Sequence, residues 1–163
     1  MNKKKILFLV NGLGLGNSIR CYSLIQRLSK KNIEIEMVTS GSGEWFFRDK
    51  REISKLYINK QVKYGFYKKE LSALNTIGNI FKIYKILKEN NFKIEKIITE
   101  SKPDLIIIDS VYVNKKIKKY SIPLVALNNS DFTKDLYFNE KKIPFNIKSQ
   151  FYFIEMLDFY YHR

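Results

Sequence analysis

The stretch Gly12-Leu13-Gly14-Leu15-Gly16-Asn17-Ser18-Ile19-Arg20 has the residue types and spacing to hold an anion. Gly12, Gly14 and Gly16 stand at every second position, where a bare backbone admits φ > 0 or the close approach of another group. Asn17 or Ser18 can cap a following helix, whose free first-turn N–H groups then attract phosphates. Arg20, one turn on, turns either into the same crevice or into solvent. The plainer alternative is a turn whose glycines only permit a tight connection. Spacing excludes two familiar phosphate loops. A Gly-x-Gly-x-x-Gly fingerprint begun at Gly12 needs its third glycine at Asn17, and one begun at Gly14 needs it at Ile19. No Gly-Lys-Ser/Thr follows, as a Walker loop requires.

A second group lies far along the chain. Asp109 and Ser110 close an apolar run, and Asn128 and Asn129 close another. Asp109 can orient a ligand hydroxyl, act as a general base, or cap a helix. No cluster of metal-ligating residues is visible, and His162, the only histidine, is next to the end.

These residues need elements to position them. Ile6 to Val10 reads as a buried central strand. Leu15, Ile19, Tyr22, Ile25 and Leu28 recur at helical spacing, which predicts a helix to about Lys31 packed on the sheet by that stripe. Ile33 to Thr39 reads as the second strand, and its loop Ser40-Gly41-Ser42-Gly43-Glu44 joins the first turn at one sheet edge. Trp45-Phe46-Phe47 begins a short helix or ordered loop. Ser54 to Ile58 reads as a third strand. A long helix is expected from about Leu71 to Asn90, its wide apolar face flanked by lysines, and a separate one from Lys93 to Ser101. Pro103 ends it, and Leu105 to Ile108 form a central strand with Asp109 and Ser110 at its C-terminal end. A helix near Tyr112 to Lys119 and a strand over Ile122 to Leu127 follow, then an amphipathic, aromatic-rich segment from Ile147 to Tyr161. The alternation predicts an α/β fold: a doubly wound, mostly parallel Rossmann-like sheet with helices on both faces, a single domain over residues 1–163.

Composition narrows the function. With 45% hydrophobic residues the chain is globular, and no apolar run approaches the ~18 residues of a membrane span. Lys3 to Lys5 resemble the start of a secretory signal, but the apolar run stops at Asn11 and no cleavage site follows. The lone Cys21 reads as a small packed thiol, in keeping with a reducing cytoplasm. The net charge is +14, yet only five of thirty basic residues are arginines. Base-reading proteins favour arginine forks, so specific nucleic-acid binding is disfavoured. An anionic membrane surface or lipid-linked substrate suits scattered lysines better.

Two blocks resemble a known family. Gly12 to Arg20 resembles the G-x-G-L-G-H-x-x-R turn of MurG-like, glycosyltransferase family 28-related GT-B enzymes. Lys102-Pro-Asp-Leu-Ile-Ile-Ile-Asp-Ser110, followed by Ile122-Pro-Leu-Val-Ala-Leu-Asn-Asn129, resembles their PDLVISD and GIPVI-x-x-DN segments. The resemblance implies the N-terminal, acceptor-binding half of a GT-B glycosyltransferase. It implies that Gly12, Gly14 and Gly16 shape the loop facing acceptor and donor phosphates, that Arg20 supports it, and that Asp109 and Asn129 lie at the cleft edge. It implies hexosyl transfer from a nucleotide sugar to an acceptor hydroxyl, perhaps lipid-linked, with no metal or other cofactor. The nucleotide sugar would bind a partner domain or subunit, with the protein at the inner face of the membrane.

One departure concerns chemistry. Asn17 stands where the family has histidine, and a neutral amide cannot remove a proton near pH 7, although it can hold a hydroxyl or phosphate. Either Asp109 supplies the base, or the chemistry is weakened, or the chain is a binding protein, such as a non-catalytic, membrane-recruiting or interaction subunit. The other departure is length, since two such domains need roughly twice a single domain of ~150 residues.

Overall fold

The structure is a computed structural model and describes residues 3–62, 66–67, 70–71, 80–111, 113 and 115–127. Five strands, β1 (Lys4–Val10), β2 (Ile33–Thr39), β3 (Lys55–Ile58), β6 (Leu105–Asp109) and β7 (Leu124–Ala126), form one all-parallel sheet in the order β3-β2-β1-β6-β7. A two-stranded antiparallel hairpin, β4 (Phe66–Tyr67) and β5 (Glu70–Leu71), stands apart from it. The strand order reverses between β1 and β6, so loops there diverge and leave a crevice at the sheet's C-terminal edge.

β1 is central because its apolar run serves two cores. Ile6, Phe8 and Val10 point to one face, with Cys21 and Ile25 of α1 (Leu15–Leu28) and Phe47 of α2 (Ser42–Phe47). Leu7 and Leu9 point to the other, with Ile94, Ile97 and Ile98 of α3 (Ile80–Ser101). The doubly wound, helix-on-both-faces arrangement expected from the alternation is therefore the observed fold.

Several details depart from the expected pattern. The expected stripe of α1 is rotated: Ser18, Cys21 and Ile25 are its buried residues, whereas Leu15 and Ile19 are exposed. Small side chains at 18 and 21 let the helix approach β1 and β6 closely. The last expected turn of this helix is a 3-10 turn, Ser29–Lys31, stopped by Asn32 at φ 55°. The two expected helices over 71–101 are one. Leu71 belongs to the hairpin, and α3 runs unbroken through Asn90-Asn91, because Asn91 Nδ2 bonds Leu87 O at 2.9 Å and Asn90 clasps both backbone groups of Lys60. The helix expected near Tyr112 to Lys119 is a 3-10 turn over Lys115–Tyr120, with Tyr112 and Asn114 outside the described residues. The segment Ile147 to Tyr161 and His162 also lie outside them.

At the opposite end of the sheet a buried ion cluster ties the layers. The fully buried Glu36 lies 3.3 Å from Lys5 Nζ, and Lys5 Nζ also donates to Ser101 O at the end of α3, 3.0 Å away. A cation at a helix C-terminus complements the dipole there. The Tyr57 hydroxyl donates to Glu36 Oε2 at 3.2 Å, and burial, reinforced by the charge of Glu36, pushes its pKa from 10 up to about 12. A raised pKa means the folded state favours the protonated phenol. Its stabilisation is complete below the unfolded value near 10 and is lost as pH rises towards 12. In urea titrations at about pH 9 and about pH 11.5, the wild type is expected to lose more stability than Tyr57→Phe. Equal losses would contradict this assignment.

Candidate functional site

The crevice is built from two interlocked loops. Gly12 lies two residues beyond the end of β1, and its carbonyl accepts Ser42 N at 3.0 Å and Ser42 Oγ at 2.6 Å. Its own N–H points to Ser40 Oγ, 3.4 Å away. A Cβ on Gly12 would lie 1.5 Å from Ser40 O, so this glycine is required by the neighbouring loop. Gly14 and Gly16 differ: a Cβ on either meets nothing within 4 Å. Nothing in the described chain explains glycine at these two positions, and both are exposed.

α1 begins at Leu15, so Gly14 is its N-cap and supplies no side-chain cap. This corrects the expectation that Asn17 or Ser18 caps the helix, since both lie inside its first turns. The first turn carries no acidic residue, and its N–H groups keep the partial positive charge of a helix start. Ser18 is fully buried, and its hydroxyl finds no hydrogen-bond partner among the described residues.

Arg20 turns inward rather than to solvent. Its Nη2 lies 2.7 Å from Asp109 Oδ1 and its Nε 3.1 Å from Asp109 Oδ2, a two-pronged ion pair. Nη2 also donates to Asn17 Oδ1 and to Leu127 O, each at 3.3 Å. The hydrogen bonds that Arg20 donates to Asp109 hold the guanidinium pKa above its ordinary value. Asp109 is 0% exposed and accepts two further bonds, from Cys21 Sγ at 3.3 Å and Ser110 Oγ at 3.1 Å. Burial first, then the adjacent carboxylate, raises the Cys21 pKa strongly, so the thiol stays protonated. Ser110 holds φ 55°, a left-handed conformation just beyond β6. Asp109 was expected at the crevice as a base or a hydroxyl ligand. With both oxygens enclosed and taken by donors, it does not face an acceptor in this arrangement. Its geometry is that of a positioning group.

Asn17 is the outer link of this network. A guanidinium only donates, so the amide oxygen must face Arg20. The amide nitrogen consequently faces the turn, where it donates to Asn11 O at 3.4 Å. Asn17 therefore points its donor nitrogen to the turn and its acceptor oxygen to Arg20. Asn128 and Asn129 lie outside the described residues.

On the α3 side of the same edge is a small cavity of about 50 Å³, with Asn11, Ser40, Asn59, Asn90 and Ser110 over a floor of Leu9, Val38 and Leu87. Asn59 Oδ1 is buried without a partner among the described residues. Neither Asn59 nor Asn90 carries a sequence signal. They meet here because β3 and α3 are brought together by the sheet. Among the described residues no three His, Cys, Asp or Glu side chains converge as a metal site. No helix among them is long and apolar enough to cross a membrane.

A parallel doubly wound sheet, a glycine turn opening onto the switch point and a helix start without a cap define a Rossmann-like domain of the kind found in GT-B glycosyltransferases. A family model described as Glycosyl transferase family 1 matches residues 4–152, and the chain belongs to that family. Solved structures agree on the fold. MurG of Acinetobacter baumannii superposes with a TM-score of 0.55 at 12% identity, over 78% of this chain and 35% of that one. Glycyrrhiza uralensis UGT73P12, complexed with glycyrrhetinic acid 3-O-monoglucuronide, gives 0.52 at 18%, over 77% and 28%. CalG4, the calicheamicin glycosyltransferase, gives 0.50 at 18%, over 100% and 44%. The chain thus spans less than half the length of each of these enzymes. Comparison with curated protein sequences finds no match. The GT-B resemblance carried by the two sequence blocks is borne out; the family whose model matches is family 1.

Two sets of variants test the site's construction. Gly12→Ala is expected to destabilise the fold by about 3 kcal/mol or more through overlap with Ser40 O. Gly14→Ala and Gly16→Ala are expected to stay within about 1 kcal/mol of wild type. Urea midpoints check both. Arg20→Ala leaves Asp109 enclosed without its ion-pair partner, with an expected loss of about 3 kcal/mol, at the low end of the range because Arg20 is 38% exposed. A loss below about 1 kcal/mol would mean the pair holds nothing.

Proposed function

We propose that this chain is the acceptor-side half of a GT-B glycosyltransferase, transferring a hexosyl group from a nucleotide sugar to an acceptor hydroxyl. The observation that carries this is the family-matched glycine turn, with bare backbone at Gly14 and Gly16 and an uncapped helix start at the crevice. Those N–H groups, with the Asn17 amide, are placed to stabilise negative charge that develops on a leaving diphosphate. Arg20 and Asp109 act through Asn17, fixing its amide so that it donates. The acceptor approaches from the sheet's C-terminal edge, where the cavity beside Asn59 and Asn90 offers neutral hydrogen-bonding groups over an apolar floor.

A donor-binding unit completes the site, since the structural neighbours are two to three times longer. The purified chain alone is expected to release no nucleoside diphosphate from nucleotide sugars above background. Supplied with its donor-binding unit, whether from the same reading frame or a neighbouring one, it is expected to turn over. Asn17→Ala is then expected to lower kcat by about 10- to 100-fold with a smaller change in KM, as for a group that acts mainly in the transition state. Turnover by the chain alone would sink the incomplete-half proposal. A pair that binds donor yet never transfers would favour the non-catalytic interaction subunit, for which the loss of the family histidine at Asn17 speaks.

A further inference from the structure

We infer that Asn59 reads an uncharged, hydroxyl-bearing group in the cavity between β2, β3 and α3. The backbone that carries this residue is pinned on every side. Asn59 N donates to Thr39 O at 2.7 Å. Before it, Lys93 Nζ of α3 donates to Ile58 O. After it, Asn90 takes both backbone groups of Lys60, at 3.0 and 2.7 Å, and Glu89 holds the Lys60 ammonium at 2.6 Å. Three polar side chains of α3 thus fix the short segment Ile58-Asn59-Lys60. Yet the Asn59 amide itself makes no hydrogen bond among the described residues, and its Oδ1 is shut off from solvent. An amide buried without a partner destabilises the empty protein. Holding that amide rigidly in a cavity wall is how a binding group is prepared in advance.

The rest of the wall selects the ligand. Its other polar side chains are in use: Asn11 Oδ1 accepts Leu13 N, Ser40 Oγ faces Gly12 N, and Ser110 Oγ donates to Asp109. Thr39 Oγ1 also lacks a partner among the described residues, but a Cβ on Gly43 would lie 2.1 Å from it, so that hydroxyl is on the α2 side of the sheet. Lys60 is the one charged residue lining the cavity, and Glu89 neutralises it. No unpaired cation among the described residues is therefore there to hold an anion. A carboxylate or phosphate only accepts and an ammonium only donates, whereas a hydroxyl does both. A hydroxyl therefore suits the amide in either orientation, because a half-turn about the Cβ–Cγ bond exchanges oxygen and nitrogen. The cavity, about 50 Å³, has more room than one water needs, and Leu9, Val38 and Leu87 offer apolar surface to the C–H groups beside such a hydroxyl. The crevice thus has two unlike halves, a glycine turn and helix start suited to negative charge and a neutral pocket suited to a hydroxylated group. That this group belongs to the acceptor rests on the glycosyl-transfer proposal; the pocket itself does not.

The test follows the side-chain NH2 signal of Asn59 in the nitrogen-15-labelled full chain, assigned by its loss in Asn59→Leu. The probes are methyl glucoside and glycerol as neutral hydroxyl donors, with acetate and inorganic phosphate as anions. The neutral probes are expected to shift this signal saturably with Kd in about the millimolar range, and the anions to act at least about tenfold more weakly. Asn59→Leu is expected to weaken binding of the neutral probes at least about tenfold while the urea midpoint of the empty chain stays level or rises, since an unpaired amide has been removed. Anions that shift Asn59 as strongly as the glucoside, or neutral probes that leave it unmoved, would overturn the inference. So would a lower midpoint in Asn59→Leu, which would show the amide already serving the fold through an ordered water. These outcomes leave the proposed reaction standing, because none of them involves transfer. Absence of turnover in the completed enzyme, with the glucoside shift intact, would count against that reaction alone.

Discussion

A carboxylate sealed from water must be matched by donors, and Asp109 sits fully enclosed at the end of β6, beside the central β1. That requirement dictates much of what surrounds it. Arg20 has to turn inward, which sets the rotation of α1. Residues 18 and 21 have to be small for the helix to come close enough, and Cys21 contributes its S–H to the same carboxylate. The guanidinium that satisfies Asp109 also reaches the Leu127 carbonyl, so one ion pair joins α1, β6 and the exit of β7.

The same pair gives the crevice its chemical character. Because Arg20 offers only donors, Asn17 is forced to turn its oxygen inward and its N–H groups to the turn. A histidine at this place could carry or accept a proton, whereas the amide, so held, can only donate to an oxygen or an anion. The glycines divide the labour around it. Gly12 is demanded by the packing of two loops against each other, while Gly14 and Gly16 leave backbone bare with no neighbour to require it. A steric need inside the chain explains the first. No such need applies at the other two.

α3 has a double role of a different kind. Its inner side closes the second core over Leu7 and Leu9, and its N-terminal half walls the small cavity beside the crevice. Its outer side carries the exposed rings of Phe81, Tyr84 and Phe92. Core and cavity wall are thus built on one long helix that is continuous across Asn90-Asn91.

The sequence by itself determined the sheet and its order of events. The apolar runs at Ile6–Val10, Ile33–Thr39 and Leu105–Ile108 have no alternative burial, and turns rich in glycine or polar residues fell at one edge. The family blocks were legible for the same reason, since they are the ends of those strands. Helix geometry was less legible. A five-residue stripe from Leu15 to Leu28 looked like the buried face, yet Leu15 and Ile19 are exposed, because periodicity counts apolar residues and is blind to a buried carboxylate that needs its partners. The break expected after Asn90 vanished once tertiary contacts satisfied both asparagines. Only the folded structure decided that Asp109 points into the protein and holds Arg20. Only the structure brought Asn59 and Asn90 to the crevice. Hydrophobic pattern is a local property of the chain, whereas the partner of a buried charge is chosen across 89 residues of sequence.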